Sequence, residues 1–279
     1  MGSKDKIAKY ILPIILENKE EYDYYVEPFC GGLGTMDKVS GIERLANDLN
    51  PFLIAMWNGL HYGKYIARDD FHIKIPMEIP KSLYDEYRNK YNHWKKTDYS
   101  FRAVIEILFK FYSELYGETE MTKEEIFMFN ECFLIGWIGY MGSFNGRFYD
   151  GGYSGKTDKR DYVNEQIRNT LKQVELLDQH PGIVFTAIPY DMLDLSTFPK
   201  MIIYADPPYK NSKQYEFSKG FDYEKFYDWC RKMGKRDGCK IFISEYEMPE
   251  DFKCVWEMEV TNSMHPTKTK KPVEKLFTL

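Results

Sequence analysis

The sequence predicts an α/β protein whose parallel sheet is interrupted by a mainly helical insertion carrying a hairpin or ordered loop. Short apolar strands alternate with amphipathic helices at both ends of the chain, which is the pattern of βαβ units. That alternation stops for roughly a hundred residues in between, where only helical spacing is found. Glycine or proline clusters stand where the strands end.

In chain order, Ile7, Ile11, Ile14 and Ile15 recur at helical spacing over residues 4–16, with Pro13 in the last turn. Tyr24-Tyr25-Val26 reads as a strand that runs into Glu27-Pro28-Phe29-Cys30 and a glycine cluster. Arg44-Leu45-Ala46-Asn47 reads as a second strand ending at Asp48, and Pro51 opens a helix. Residues 81–94, 101–116 and 123–137 are helical. Residues 140–152, with Asn145-Gly146 and Asp150-Gly151 turn signals, are expected to form the hairpin or ordered loop. The α/β pattern resumes with a helix near 161–177, strands at 183–186, 201–205 and 240–244, a helix at 223–233, and a last strand around Leu276-Phe277. We therefore expect residues 1–60 and 160–279 to form the α/β domain and 61–159 the insertion.

Composition narrows the function classes. Of 279 residues, 43% are hydrophobic and 29% charged, ordinary for a globular chain and incompatible with disorder or collagen-like sequence. A net charge of −5 excludes a uniformly basic coat for nucleic acid but leaves local basic faces open. Aromatics reach 17%, enough for core packing and for stacking on flat ligands. The five cysteines form no CxxC pair, which argues against a disulfide framework or structural zinc and for a reduced, intracellular setting. The apolar stretch 126–144 is broken by Asn130 and Glu131 and reads as a buried helix, not a membrane span. Charged Lys4, Asp5 and Lys6 fit no secretory signal.

The sharpest motif is Asp206-Pro207-Pro208-Tyr209, directly after the apolar run Met201-Ile202-Ile203-Tyr204-Ala205. Prolines cannot continue a sheet, so they fix the chain just beyond the carboxyl end of a strand, where open α/β sheets bind ligands. A carboxylate, a rigid carbonyl and an aromatic face together suit a planar base with an exocyclic amine. The bland alternative is a proline-stiffened turn that merely ends a strand. A second motif, Glu27 to Gly34, places glycines at what reads as a strand-to-helix junction, where a ligand can approach the backbone. It is neither a phosphate-binding Walker loop nor a clean dinucleotide fingerprint, because Asp37 stands where a third glycine belongs. Asp48, at the end of the next strand, can accept hydrogen bonds from ribose hydroxyls or cap the following helix, a job Asn50 could also do.

The order Glu-Pro-Phe-x-Gly-Gly, Asn47-Asp48-x-Asn50, helical insertion, Asp-Pro-Pro-Tyr resembles Dam-type DNA adenine-N6 methyltransferases (the alpha group) over nearly the whole chain. Gly2-Ser3-Lys4, Tyr190-Asp191, Ile241 to Ser244 and Glu274-Lys275-Leu276-Phe277 resemble further segments of that family. The resemblance implies a Rossmann-like methyltransferase sheet with helices on both faces and a DNA-binding insertion. It implies S-adenosyl-L-methionine held by Phe29, Gly31, Gly32 and Asp48, with Lys4 near its carboxylate and Asp191 in the adenosyl segment. It places Asp206, Pro207, Pro208 and Tyr209 around a flipped adenine of double-stranded DNA. Neither a metal nor a membrane is implied, the setting is cytoplasmic, and a companion restriction endonuclease is a partner the resemblance allows. Related sites methylate RNA, cytosine N4 or a protein amide, and a non-catalytic DNA-binding relative is the alternative of another class. Asn145 and Arg147 are candidates for base reading, with Phe144 and Phe148 as anchors. Lys156, Arg160 and, near the C-terminus, Lys268, Lys270 and Lys271 are candidates for phosphate contact.

Overall fold

The protein is described here as a computed structural model covering residues 4–96, 98–180, 182–210, 216–259 and 272–279. Gly2, Ser3, Lys268, Lys270 and Lys271 lie outside the described residues. In chain order the elements are α1 (Asp5–Ile15), β1 (Tyr24–Glu27), β2 (Glu43–Asn47), α2 (Pro51–Tyr62), α3 (Lys81–Trp94), α4 (Asp98–Leu115), α5 (Lys123–Gly142), β3 (Lys156–Thr157) and β4 (Arg160–Asp161). They continue as α6 (Tyr162–Asp178), β5 (Ile183–Thr186), β6 (Met201–Ala205), α7 (Tyr223–Gly234), β7 (Cys239–Glu245), β8 (Lys253–Glu259) and β9 (Val273–Thr278). The chain divides into two compact units. Ser3–Asn47, Gly182–Val184 and Ile188–Leu279 make one, and Asp48–Pro181 with Phe185–Ala187 the other. Thus α2 and α6 group with the helical insertion.

The first unit is built on a mixed seven-stranded sheet of order β5-β2-β1-β6-β7-β9-β8, with helices on both sides, as in Rossmann-like methyltransferases. β1, β2, β6 and β7 pair in parallel, and β9 runs antiparallel to both β7 and β8. The central strand β6 is buried at every position, as a strand covered on both faces must be. Its Met201 and Ile203 pack with Val26, Ile241 and Ile243 and with Phe226, Tyr227, Cys230 and Met233 of α7. These four α7 residues follow a helical stripe, and each fully buried large side chain contributes about 1.5–3 kcal/mol. Asp222 caps α7 by accepting from the Lys225 N–H at 3.0 Å.

One expected feature is absent: no α-helix follows the glycine turn after β1. Residues Met36–Lys38 form a single 3₁₀ turn instead. The Asp37 side chain is buried and paired with Lys38 at 2.7 Å, which fixes a tight turn where a helix would otherwise propagate.

The helical unit depends on glycines that let its helices approach. A Cβ at Gly136 of α5 would lie 2.1 Å from the Phe52 carbonyl oxygen of α2, and one at Gly59 of α2 would lie 2.4 Å from the Phe133 ring. A Thr122–Glu125 capping box starts α5, which runs five residues past its expected end. Residues 140–152 are accordingly the last turn of α5 followed by an ordered loop, closed by a bridge between Ser143 and Tyr153. The short hairpin lies beyond it, in β3 and β4. Phe148 and Tyr149 anchor the loop, both buried and both at positive φ (38° and 64°), with Ser143 Oγ accepting from the Tyr149 N–H at 2.7 Å. Phe144 does not share the anchoring role expected of it, because it stays 42% exposed. Among the described residues no helix is long and apolar enough to cross a membrane.

Candidate active site

At the carboxyl end of β6, Asp206, Tyr209 and Glu274 converge on the Lys4 ammonium. β6 ends at Ala205, level with Ile243 of β7, and Asp206 is the next residue. Pro207 is buried and Pro208 half-buried, so the turn is held by packing as well as by its rings. Lys4, the residue preceding α1, extends Nζ to Glu274 Oε1 at 2.6 Å, to Asp206 Oδ1 at 3.2 Å, and to the Tyr209 hydroxyl. That hydroxyl in turn donates to Glu274. Lys4 Nζ also stands 4.5 Å from the centroid of the Tyr209 ring, and Tyr246 meets the same ring edge-on at 4.8 Å. Glu274 reaches the site through register. Glu245 of β7 pairs with Lys275, so the antiparallel β9 places Glu274 one residue farther out, at the end of the sheet where Asp206 emerges.

Burial dominates the electrostatics. It pushes the Asp206 carboxyl up to about 6, with the Lys4 charge opposing and Glu274 reinforcing. For Lys4 burial works against the charge, but Asp206 and Glu274 outweigh it and the amine stays protonated above its ordinary range. Glu245 is raised by burial to about 7 although it accepts from the Tyr246 N–H (2.8 Å) and the Lys210 N–H (3.1 Å). Through the Lys210 bond it ties the end of the Asp-Pro-Pro-Tyr turn to the end of β7. Glu27, buried at the end of β1, is raised by burial to about 8 even though Thr35 Oγ1 (2.6 Å) and the Tyr25 hydroxyl (2.9 Å) both donate to it. Asp206 and Glu274 thus share the Lys4 ammonium, and the Glu27 and Glu245 carboxyls lie close enough to act on Asp206. Such a site repels phosphate and suits a ligand that donates hydrogen bonds or carries positive charge.

The glycine turn lies in the same unit. The Cys30 N–H donates to the Asn47 carbonyl at 2.7 Å, tying the turn to the end of β2. Gly31 (φ 48°) and Leu33 (φ 55°) take the left-handed conformation, which Gly31 adopts freely and Leu33 only because its side chain is fully buried. Lys38 braces the turn by donating to the Gly34 carbonyl at 2.9 Å and to Asp5 at 2.6 Å. Phe29 packs against Tyr190 at 5.3 Å and Phe221 at 5.8 Å. Asp191, next to Tyr190, pairs with Lys225 at 2.5 Å.

The expected site residues therefore fall into groups. Lys4, Asp206 and Tyr209 converge, and Phe29 meets the Tyr190-Asp191 segment. Asp48, Asn145, Arg147, Lys156 and Arg160 belong to the other compact unit. There Asn50, not Asp48, caps α2, accepting from the Phe52 and Leu53 N–H groups, while Asp48 accepts from the Asn50 N–H at 2.9 Å. Asn145 is exposed at positive φ (54°) and Arg147 is half-buried. Lys156 and Arg160 are exposed on the hairpin, Arg160 bound to both Glu165 oxygens and Lys156 3.9 Å from Asp161. Sequence reasoning missed Glu274, Glu245 and Lys38. For Glu274 a signal existed: it shares the strand face of Leu276, a buried position that an acid occupies only with partners.

No curated protein sequence matches the chain. A family model, described as D12 class N6 adenine-specific DNA methyltransferase, matches residues 1–252. A match over most of the 279 residues settles the acceptor that the sequence left open between DNA, RNA and protein. The chain belongs to the D12 class N6 adenine-specific DNA methyltransferase family, and it is an enzyme that methylates adenine in DNA.

Proposed function

We propose that the enzyme transfers a methyl group from S-adenosyl-L-methionine to the N6 amine of an adenine flipped out of duplex DNA. The observation that carries this reading is the convergence of Lys4, Asp206, Tyr209 and Glu274 at the carboxyl end of β6.

The cofactor supplies an activated methyl on a cationic sulfonium. The residues present fit it: the site is rich in carboxyls, Phe29 and Tyr190 offer aromatic faces to an adenosyl ring, and the turn after β1 leads to no helix that could cradle a pyrophosphate. Phe29, Gly31, Gly32 and Asp191 are assigned to it, with Asp48, the residue after β2, for its ribose hydroxyls. Lys4 is assigned to its carboxylate.

The N6 lone pair is delocalised into the ring. Asp206 and the Pro207 carbonyl accept the two amine hydrogens and favour a pyramidal nitrogen with its lone pair directed outward. Positioning then supplies most of the rate. As the N–C bond forms, the Asp206 carboxylate meets the positive charge on nitrogen. It can take the departing proton, and its side chain, 24% exposed, can release that proton to water. Lys4 occupies both Asp206 and the Tyr209 ring, so it must turn to another acceptor before the base can stack, and the cofactor carboxylate is such an acceptor. Flipping costs a few kcal/mol, and stacking on Tyr209 returns about 1–3 kcal/mol. Pro208 stiffens the turn that sets both acceptors.

For DNA recognition, Asn145 and Arg147 on the anchored loop are assigned to base edges, and Lys156 and Arg160 to phosphates. Arg160 would have to exchange Glu165 for phosphate. A companion restriction endonuclease belongs to the same reading. Incubating plasmid DNA, RNA and a protein extract with methyl-labelled cofactor tests it. Label is expected on duplex DNA, in adenine alone; label on RNA, protein or cytosine would contradict it.

A further inference from the structure

Glu274 lies outside the stretch matched by the family model, yet its carboxylate touches two of the groups the mechanism uses. It is 7% exposed, accepts from Lys4 Nζ at 2.6 Å and receives the Tyr209 hydroxyl proton. Its neighbour on the same strand face, Leu276, is a core residue, and an unpartnered buried carboxylate there would be strongly disfavoured. The Lys4 contacts are unequal, with Glu274 nearer than Asp206 by 0.6 Å (2.6 against 3.2 Å). Glu274 therefore holds Lys4 partly off Asp206, the acceptor the target amine needs. When Lys4 turns away, Glu274 still accepts from the Tyr209 hydroxyl, whose other side-chain partner, Asp206, is then needed by the target amine.

We propose that Glu274 is a positioning residue of the methyl-transfer site, acting through the Tyr209 hydroxyl to fix the ring on which the target base stacks. The inference rests on the reading of Asp206 and Tyr209 as the base-binding pair. It changes what Tyr209 is expected to need. Stacking alone requires the ring and not the hydroxyl, whereas here the hydroxyl orients the ring.

The test is a mutant cycle on the full-length enzyme, with kcat and KM for DNA measured in wild type, Glu274→Ala, Glu274→Gln, Tyr209→Phe and the double variant Glu274→Ala/Tyr209→Phe. Misplacing the ring by about 1 Å should lower kcat in Glu274→Ala by about a hundredfold, with KM changed far less. Glu274→Gln, whose amide oxygen still accepts from the hydroxyl, should recover part of the loss. In the Tyr209→Phe background Glu274→Ala should cost less than about threefold more, since residues acting through one bond are not additive. Losses that multiply, or a kcat near wild type in both Glu274 variants, overturn the proposal. Should Glu274→Ala fail to fold, the same cycle run with Glu274→Gln decides it. Wild-type enzyme that transfers no methyl to adenine overturns the base-binding reading itself, whereas an active wild type with multiplicative losses overturns only the role of Glu274.

Discussion

Replacing Lys4 with methionine keeps most of the side-chain volume and removes the ammonium that meets Asp206. Lys4 Nζ lies 3.2 Å from Asp206 Oδ1. An opposite charge at that range lowers a carboxyl pKa by about 1–3 units. Asp206 stands at about 6 with Lys4 in place. Without the ammonium it should titrate roughly between 7 and 9. Only the carboxylate can accept the amine hydrogens and then the proton, so turnover at subsaturating cofactor and DNA, which reports the free enzyme with Lys4 still on Asp206, should follow the ionised fraction. At pH 7 that fraction is about nine-tenths for a pKa near 6 and about one-tenth for a pKa near 8, so Lys4→Met should lose roughly tenfold there and recover by about pH 9. Single-turnover methyl transfer measured across this pH range in both proteins gives the two acid limbs. An unshifted limb, or a loss equal at every pH, would refute the coupling of Lys4 to Asp206 and leave Lys4 with the cofactor alone.

Three further outcomes are expected. Glu27 holds its proton in the folded state up to about 8 against an ordinary value of 4.5. Its contribution is therefore fully present below the ordinary value and is lost as pH rises through the folded one. Wild type should melt progressively lower over that window, by up to a few kcal/mol of stability, and Glu27→Gln should flatten the slope; parallel melting curves would show that Glu27 is ionised in the fold. Asp48→Ala should weaken S-adenosyl-L-methionine binding by about 1.5–3 kcal/mol in calorimetry, and unchanged affinity would move the ribose contact elsewhere. If Arg147 reads a base, Arg147→Ala should cost about 1–3 kcal/mol on cognate DNA and relax one position of the methylated motif. Uniform weakening on all sequences would make it a phosphate contact.

Much of this architecture is legible in the sequence for identifiable reasons. A strand covered on both faces reads as an unbroken apolar run, and Met201–Ala205 is found where that run predicts it. The tyrosines and charges of Lys81–Trp94 keep strict helical spacing, and its bounds are found as expected. Errors occur where packing overrides local preference. The helix expected to end at 137 runs on to Gly142, because Gly139 and Gly142 admit close neighbours, the Tyr149 ring and the Tyr84 ring, as Gly136 admits the Phe52 backbone. β8 escapes notice because its mixed residues, partly exposed throughout, give no clear alternation. The turn after β1 predicts a helix where the chain makes only the 3₁₀ turn Met36–Lys38. At the site, Asp206 and Tyr209 are visible because prolines mark them. Glu245 is not, because an acid at a strand end gains meaning only from sheet register, and for Glu274 the one signal is the buried strand face it shares with Leu276. The choice between Asp48 and Asn50 as the cap of α2 likewise needed the backbone, which gives it to Asn50.

The central claim is that Asp206 accepts the target amine of adenine, and it is tested most directly by sequencing DNA from hosts expressing wild type or Asp206→Ala with detection of N6-methyladenine. Wild type should leave N6-methyladenine at one recurring motif. Asp206→Ala, folded and present at equal level, should leave none. Methylation by Asp206→Ala at the wild-type level, or no methylated adenine from wild type, would contradict the account.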